Sequence, residues 1–181
     1  MNSGSMVGGG VLAGYLAILA FTFIFSIVLY VVSAYFMSKV FDKAGVDGHW
    51  RAWVPGYNMM VFLKLGDLSP WLVLYCVGGL ILLSWLGIGF LFSIALFVVS
   101  GMAAYRIGQK LGAEPAMLAL WLIPVAWLVV MAQRNAMWNS HIEPAPWAGT
   151  GFLEDRTRWE GVPAQAVLSG DGDSAHGVVT A

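Results

Sequence analysis

Charge is what this chain of 181 residues has least of. Asp, Glu, Lys and Arg make up only 10% of it, against about 25% in an ordinary soluble domain. The shortage is uneven. No charged residue precedes Lys39, and none lies between Asp67 and Arg106. Cysteine is nearly absent as well: Cys76 stands alone, which excludes an internal disulfide and any cysteine-based metal framework. The histidines His49, His141 and His176 form no metal-ligand or catalytic spacing. No metal or cofactor is therefore expected, and no enzymatic activity. The net charge of −1 leaves no basic footprint for nucleic acid.

What is present is apolar sequence, 59% of the chain, gathered into runs longer than the roughly 20 residues that cross a bilayer. The composition reads as an all-α integral membrane protein. Four transmembrane helices are expected, at about residues 11–37, 70–85, 88–111 and 114–133. The first ten residues read as a flexible lead without the positive region of a secretory signal. Pro70 suits the first position of a helix, with Ser69 as its cap. The stretch Ser84–Gly89, SWLGIG, is the hairpin turn between the second and third spans, and Gly112 stops the third. Pro124 predicts a kink in the fourth span. Ser100, Ala104 and Gly108 recur at four-residue spacing beside Gly101, a face that suits close helix packing, inside the chain or at a dimer seam.

Between the first and second spans lies a polar island, Phe41–Asn58, FDKAGVDGHWRAWVPGYN. Pro55-Gly56 breaks an apolar patch too short to span. Residues 50–65 are therefore expected to lie in the interface as a turn and a short amphipathic helix. Gly45, Gly48, Trp50, Pro55 and Gly56 are the structural residues of this loop. Asn58 can satisfy backbone left unpaired by the break. The loop carries Lys43, His49, Arg51, Tyr57 and Asn58, and the third span ends with Arg106 and Lys110 on one helix face. These seven can line a basic pocket for an anionic lipid headgroup or solute. They can equally be residues that flank spans and fix orientation. By the positive-inside rule the central loop and the third-to-fourth connection lie in the cytoplasm. Four spans then put both termini outside.

Residues 135–181 carry prolines, glycines and acids and read as a water-exposed, largely unstructured tail. Its tryptophans Trp138, Trp147 and Trp159, with Phe152, either rest on the membrane surface or anchor a partner protein.

Several of these residues also carry a resemblance. Lys43, Ala44, Gly45, Gly48, Trp50, Val54, Pro55, Tyr57, Asn58, Pro70 and Trp71 match a pattern of Lys-Ala-Gly, Gly-Trp and Ile-Pro-x-Tyr-Asn followed by a proline-aromatic helix start. Arg106–Gly112 looks like a later segment of the same pattern. From about Lys39 to Gln133 the chain resembles an uncharacterised bacterial multi-pass membrane family. Its members are often labelled large exoprotein, and the module also occurs fused ahead of signal peptidase I. The tail here is too short for a peptidase domain and offers no Ser/Lys dyad. The resemblance implies the fold and a bacterial cell-membrane location. The function expected is a non-catalytic module acting through protein contacts as an accessory or scaffold subunit, with membrane lipids around it. The alternative is lipid or small-solute binding and transport at the central loop.

Overall fold

The computed structural model describes residues 3–163, with side chains from Gly10 onward. Its regular elements are all helical: α1 (Ser3–Lys43), α2 (Tyr57–Leu65), α3 (Trp71–Leu83), α4 (Phe90–Lys110) and α5 (Pro124–Gln133), with 3-10 segments at His49–Ala52, Ser84–Leu86 and Pro115–Leu122. Two helices, α1 from Gly10 and α4, are long and apolar enough to cross a membrane. The stretches Trp71–Leu86 and Pro124–Gln133 are apolar but shorter. Helix is thus confirmed as the fold class, with two membrane-length helices where four spans are expected.

The expected flexible lead is, from Ser3, already the first turns of α1; residues 1–2 lie outside the described part. From residue 10 to residue 29 every position of α1 is exposed. Only its last turns enter the core, through Met37, Val40 and Phe41, where it packs against α5 and the His49–Ala52 turn.

Chain reversal at residues 84–89 follows the sequence. A 3-10 turn leads to Gly87 at φ 76°, a left-handed conformation that glycine adopts without a Cβ clash. Helices α3 and α4 then pack along each other. Gly112 (φ 62°) ends α4, with Ala113 N–H bonded to Gly108 O at 2.8 Å and Gly112 N–H to Gln109 O at 2.9 Å, the paired bonds of a Schellman stop. Ser69, expected to cap α3 with its side chain, makes no such bond; its backbone N–H instead donates to Leu153 O at 2.8 Å.

The expected fourth span does not form. Residues 115–122 run as a 3-10 segment, the chain turns at Ile123 (φ −123°, ψ 86°), and α5 returns. Both ends of this segment meet. Arg134 Nη2 donates to Gly112 O at 2.8 Å, and Nη1 lies 3.5 Å from Met117 Sδ. A continuous 20-residue helix would hold its ends about 30 Å apart. Proline at 124 forces residue 123 out of helical angles, so the expected kink is a full reversal.

Helix α2 is also deeper than expected. Rather than lying amphipathically in an interface, it has Val61, Phe62, Leu63, Lys64 and Leu65 all buried. Gly66, at its end, abuts α4 so closely that a Cβ there would fall 2.5 Å from Ala103 Cα. Phe62 stacks on Trp121 at 5.7 Å and meets Trp127 edge-on at 6.0 Å. The core therefore sits at one end of the molecule, where α2, α4, α5 and the turn of α1 converge.

The segment 135–163 corrects a further expectation. It lacks helices but is no loose tail. It returns as a strap over the core end and buries Ala145, Trp147 and Val162. It makes an isolated antiparallel bridge between Glu154 and Leu68, and Gly161 O accepts from Asp47 N–H at 2.7 Å. Residues 164–181 lie outside the described part. Because the strap rests on the central loop, the two occupy the same face of the molecule.

Candidate functional site

Three cations and two carboxylates form a buried layer at the core end. Asp67 follows α2 in a left-handed conformation (φ 61°), unlike every other non-glycine residue described. Short acidic side chains tolerate that region better than most. There it presents both carboxylate oxygens to α4. Arg106 Nε donates to Oδ2 at 2.6 Å, and Lys110 Nζ to Oδ1 at 2.7 Å. The two basic residues sit four apart on one face of α4, as their spacing requires. Their side chains are 3% and 0% exposed. Burial at that depth is tolerable only with partners, and the remaining donors find them. Lys110 Nζ reaches Leu65 O at 2.7 Å, closing the end of α2, and lies over the Trp138 ring. Arg106 also donates to Gln109 Oε1 at 3.1 Å and to Glu143 O in the strap. Trp147 Nε1 donates to Asp67 O at 3.1 Å.

Lys64 is the second centre. Its ammonium, 2% exposed, meets Asp155 Oδ2 at 2.5 Å, Thr157 Oγ1 at 3.1 Å and Thr157 O. Thr157 in turn donates from N–H and Oγ1 to Asp155 Oδ1, at 2.9 and 2.7 Å. The Trp159 ring closes the cage, 5.7 Å from Nζ.

At the loop, Trp50, Tyr57 and Trp159 form a parallel stack with centroids 5.6 and 5.5 Å apart. The Arg51 guanidinium lies beside it, donating to Tyr57 Oη and to Glu160 O, each at 2.8 Å. Gly56 (φ 79°) turns the chain into α2. Asn58, buried, donates from Nδ2 to Ala52 O at 3.2 Å and accepts Met59 N–H at 2.7 Å. It thus closes the backbone across the Pro55-Gly56 break.

The seven basic and polar residues expected to line one pocket separate into groups. Arg106 and Lys110 meet on Asp67. Arg51 and Tyr57 meet in the ring stack, and Asn58 ties the loop. Lys43 faces away, donating to Met131 O at 2.9 Å and Arg134 O at 2.5 Å at the end of α5. His49 is exposed, with Nδ1 2.9 Å from Asp42 Oδ1. Sequence reasoning missed Lys64, Asp67, Asp155 and Thr157 as a set. The one local signal is Lys64 itself, a cation inside the apolar run MMVFLKLG. Among the described residues no group of three or more His, Cys, Asp and Glu is placed to hold a metal ion. The layer can bind elements to one another; its carboxylates are already occupied by ammonium and guanidinium groups. Comparison of the chain with family models, with curated proteins and with solved structures gives no match in any of the three.

Proposed function

We propose that the chain is a non-catalytic multi-pass module of a bacterial cell membrane that works through protein contacts, as an accessory or scaffold subunit. The observation that carries this reading is the contrast between polar and apolar surface. Lys64, Asp67, Arg106, Lys110 and Asp155 are consumed in holding elements together. Meanwhile α1 offers Leu16, Phe21, Ile24, Phe25 and Val28, all exposed, along a stretch with no burial at all. Such a surface is stable only in lipid or against another apolar helix.

In this reading α1, α3 with its 3-10 extension, and α4 cross the bilayer. The segment 115–133 enters and leaves on one side; backbone broken at membrane depth is tolerated where protein shields it. Basic residues cluster at the core end, so that end faces the cytoplasm. The strap is then cytoplasmic and the start of α1 external. The resemblance to the uncharacterised bacterial family rests on the central loop, the start of α3 and the end of α4, which build this end, and agrees with a structural role for them.

Two experiments test the reading. For topology, Cys76 is replaced and single cysteines are placed at His49, Trp85 and Arg158, then labelled on intact cells with an impermeant reagent. Position 85 reacts and positions 49 and 158 do not; labelling of 158 with 49 protected overturns the shared face. For partners, a photo-crosslinking residue at Ile24 or Phe25 gives a discrete protein adduct in the native membrane. Adducts to lipid alone move the second reading, lipid handling, ahead of the first. That second reading draws its own support from an apolar crevice along α4.

A further inference from the structure

Between α4 and the 3-10 segment Pro115–Leu122 lies an open crevice of about 650 Å³. That is within the roughly 300–1,000 Å³ range of small-molecule sites. Its existence follows from local structure. Trp121 seats against Gly101, where a Cβ would lie 3.2 Å from the indole, and donates from Nε1 to Phe97 O at 3.4 Å. The indole anchors the end of the 3-10 segment on α4, and the crevice opens beside it. Phe97, Val98 and Met102 form one wall, Leu118 and Leu122 the other, and Trp147 of the strap bounds it beside them. The Trp147 ring is itself fixed by its bond to Asp67 O.

The chemistry of the lining is one-sided. Tyr105 has the only hydroxyl there, and no charged side chain contributes. The indole N–H groups of Trp121 and Trp147 are both engaged, so neither is left to recognise a polar ligand. The crevice is continuous with the exposed apolar face of α4, because Phe97 and Val98 belong to both and Ile94 and Leu91 extend that face. An apolar gap loses the dispersion contacts of both walls unless something fills it.

We propose that this crevice is a lateral binding site for one acyl chain of a bilayer lipid. The proposal rests on the membrane reading above. The site differs from the headgroup pocket expected at the central loop. It reads the hydrocarbon and leaves the headgroup outside. Helix α4, the segment 115–122 and the strap together build it, so neither α4 alone nor a simple fourth span would present it.

The test uses the full chain in vesicles of phosphatidylcholine doped with an analogue carrying a diazirine on one acyl chain. After illumination, adducts are mapped by mass spectrometry. Met102 and Leu118 collect more adducts than Phe21, Ile24 and Phe25 on α1, which meet bulk lipid when the chain is alone in the vesicle, without a protein partner. The variant Ala119→Phe, made at an exposed lining position, cuts the Met102 and Leu118 adducts several-fold and leaves those on α1 unchanged. Leu122→Trp, also exposed, does the same and guards against a folding defect peculiar to the first variant. Crevice labelling no higher than α1 labelling, or unaffected by both variants, overturns the site. Cross-links from Met102 or Leu118 to a second copy of the chain overturn it in favour of a helix as occupant. Absence of adducts on α1 as well shows instead that the membrane reading has failed.

Discussion

At the core end, Lys64, Arg106 and Lys110 are almost wholly buried, and each is fixed by a carboxylate and at least one backbone carbonyl. In the other half of the molecule, residues 10–29 of α1 are exposed without exception, and Trp85 at the α3–α4 turn is 80% exposed. Both regions consist of helices rich in Leu, Val, Ile and Phe, so composition does not separate them. Intramolecular partners do. The core end is specified by the chain itself, through ion pairs, ring stacks and a strap. The apolar half takes its environment from outside. Loss of stability on mutation should therefore concentrate at the core end, where the buried side chains lie.

Three substitutions put that contrast at risk, read as melting in mild detergent. Asp67→Ala strands two buried cations and costs about 3–5 kcal/mol, the scale for breaking a buried pair. A near-parental melt would mean that the layer is hydrated and the comparison misdrawn. Asp155→Ala removes the carboxylate that meets Lys64 and holds Thr157, but leaves both Thr157 oxygens available to the ammonium. The expected loss is about 1.5–3 kcal/mol, as for a hydrogen bond to a charged group, and an unchanged melt would show the strap to be ornamental. Ile24→Ala, in the free stretch of α1, should stay within about 0.5 kcal/mol. A larger loss would reveal that α1 has a neighbour in the purified protein.

Legibility in the sequence followed the same division. The turn at 84–89, the stop at Gly112 and the break at Pro55-Gly56 with Asn58 behind it could all be read, because each depends on residues adjacent in the chain. The strap could not. Arg51, Lys64 and Arg106 recognise it through the carbonyls of Glu160, Thr157 and Glu143, and a carbonyl leaves no mark on the sequence. Asp67 was hidden differently: Asp-Leu-Ser-Pro reads as a helix opening, and nothing local shows that its carboxylate serves α4 some forty residues on. The doubled-back segment 115–133 misleads for a third reason. An apolar run of 20 residues looks the same whether it crosses or doubles back, and only Pro124 hints at the corner. The tail tryptophans were noticed, but Trp138, Trp147 and Trp159 turn inward, and Phe152 alone among those four aromatics is left largely exposed, stacked on Tyr75.

The placement of Asp67 also bears on biosynthesis. It stands at one foot of the α3–α4 hairpin, and Arg106 and Lys110 stand at the other. Packing of α3 along α4 brings these feet together. Asp67 can pair with both cations as soon as α4 is complete, leaving one positive charge in excess. Lys64 waits longer, for Asp155 ninety-one residues later. The core end is thus assembled in two stages set by the order of synthesis: α4 closes the first, and the strap locks the second.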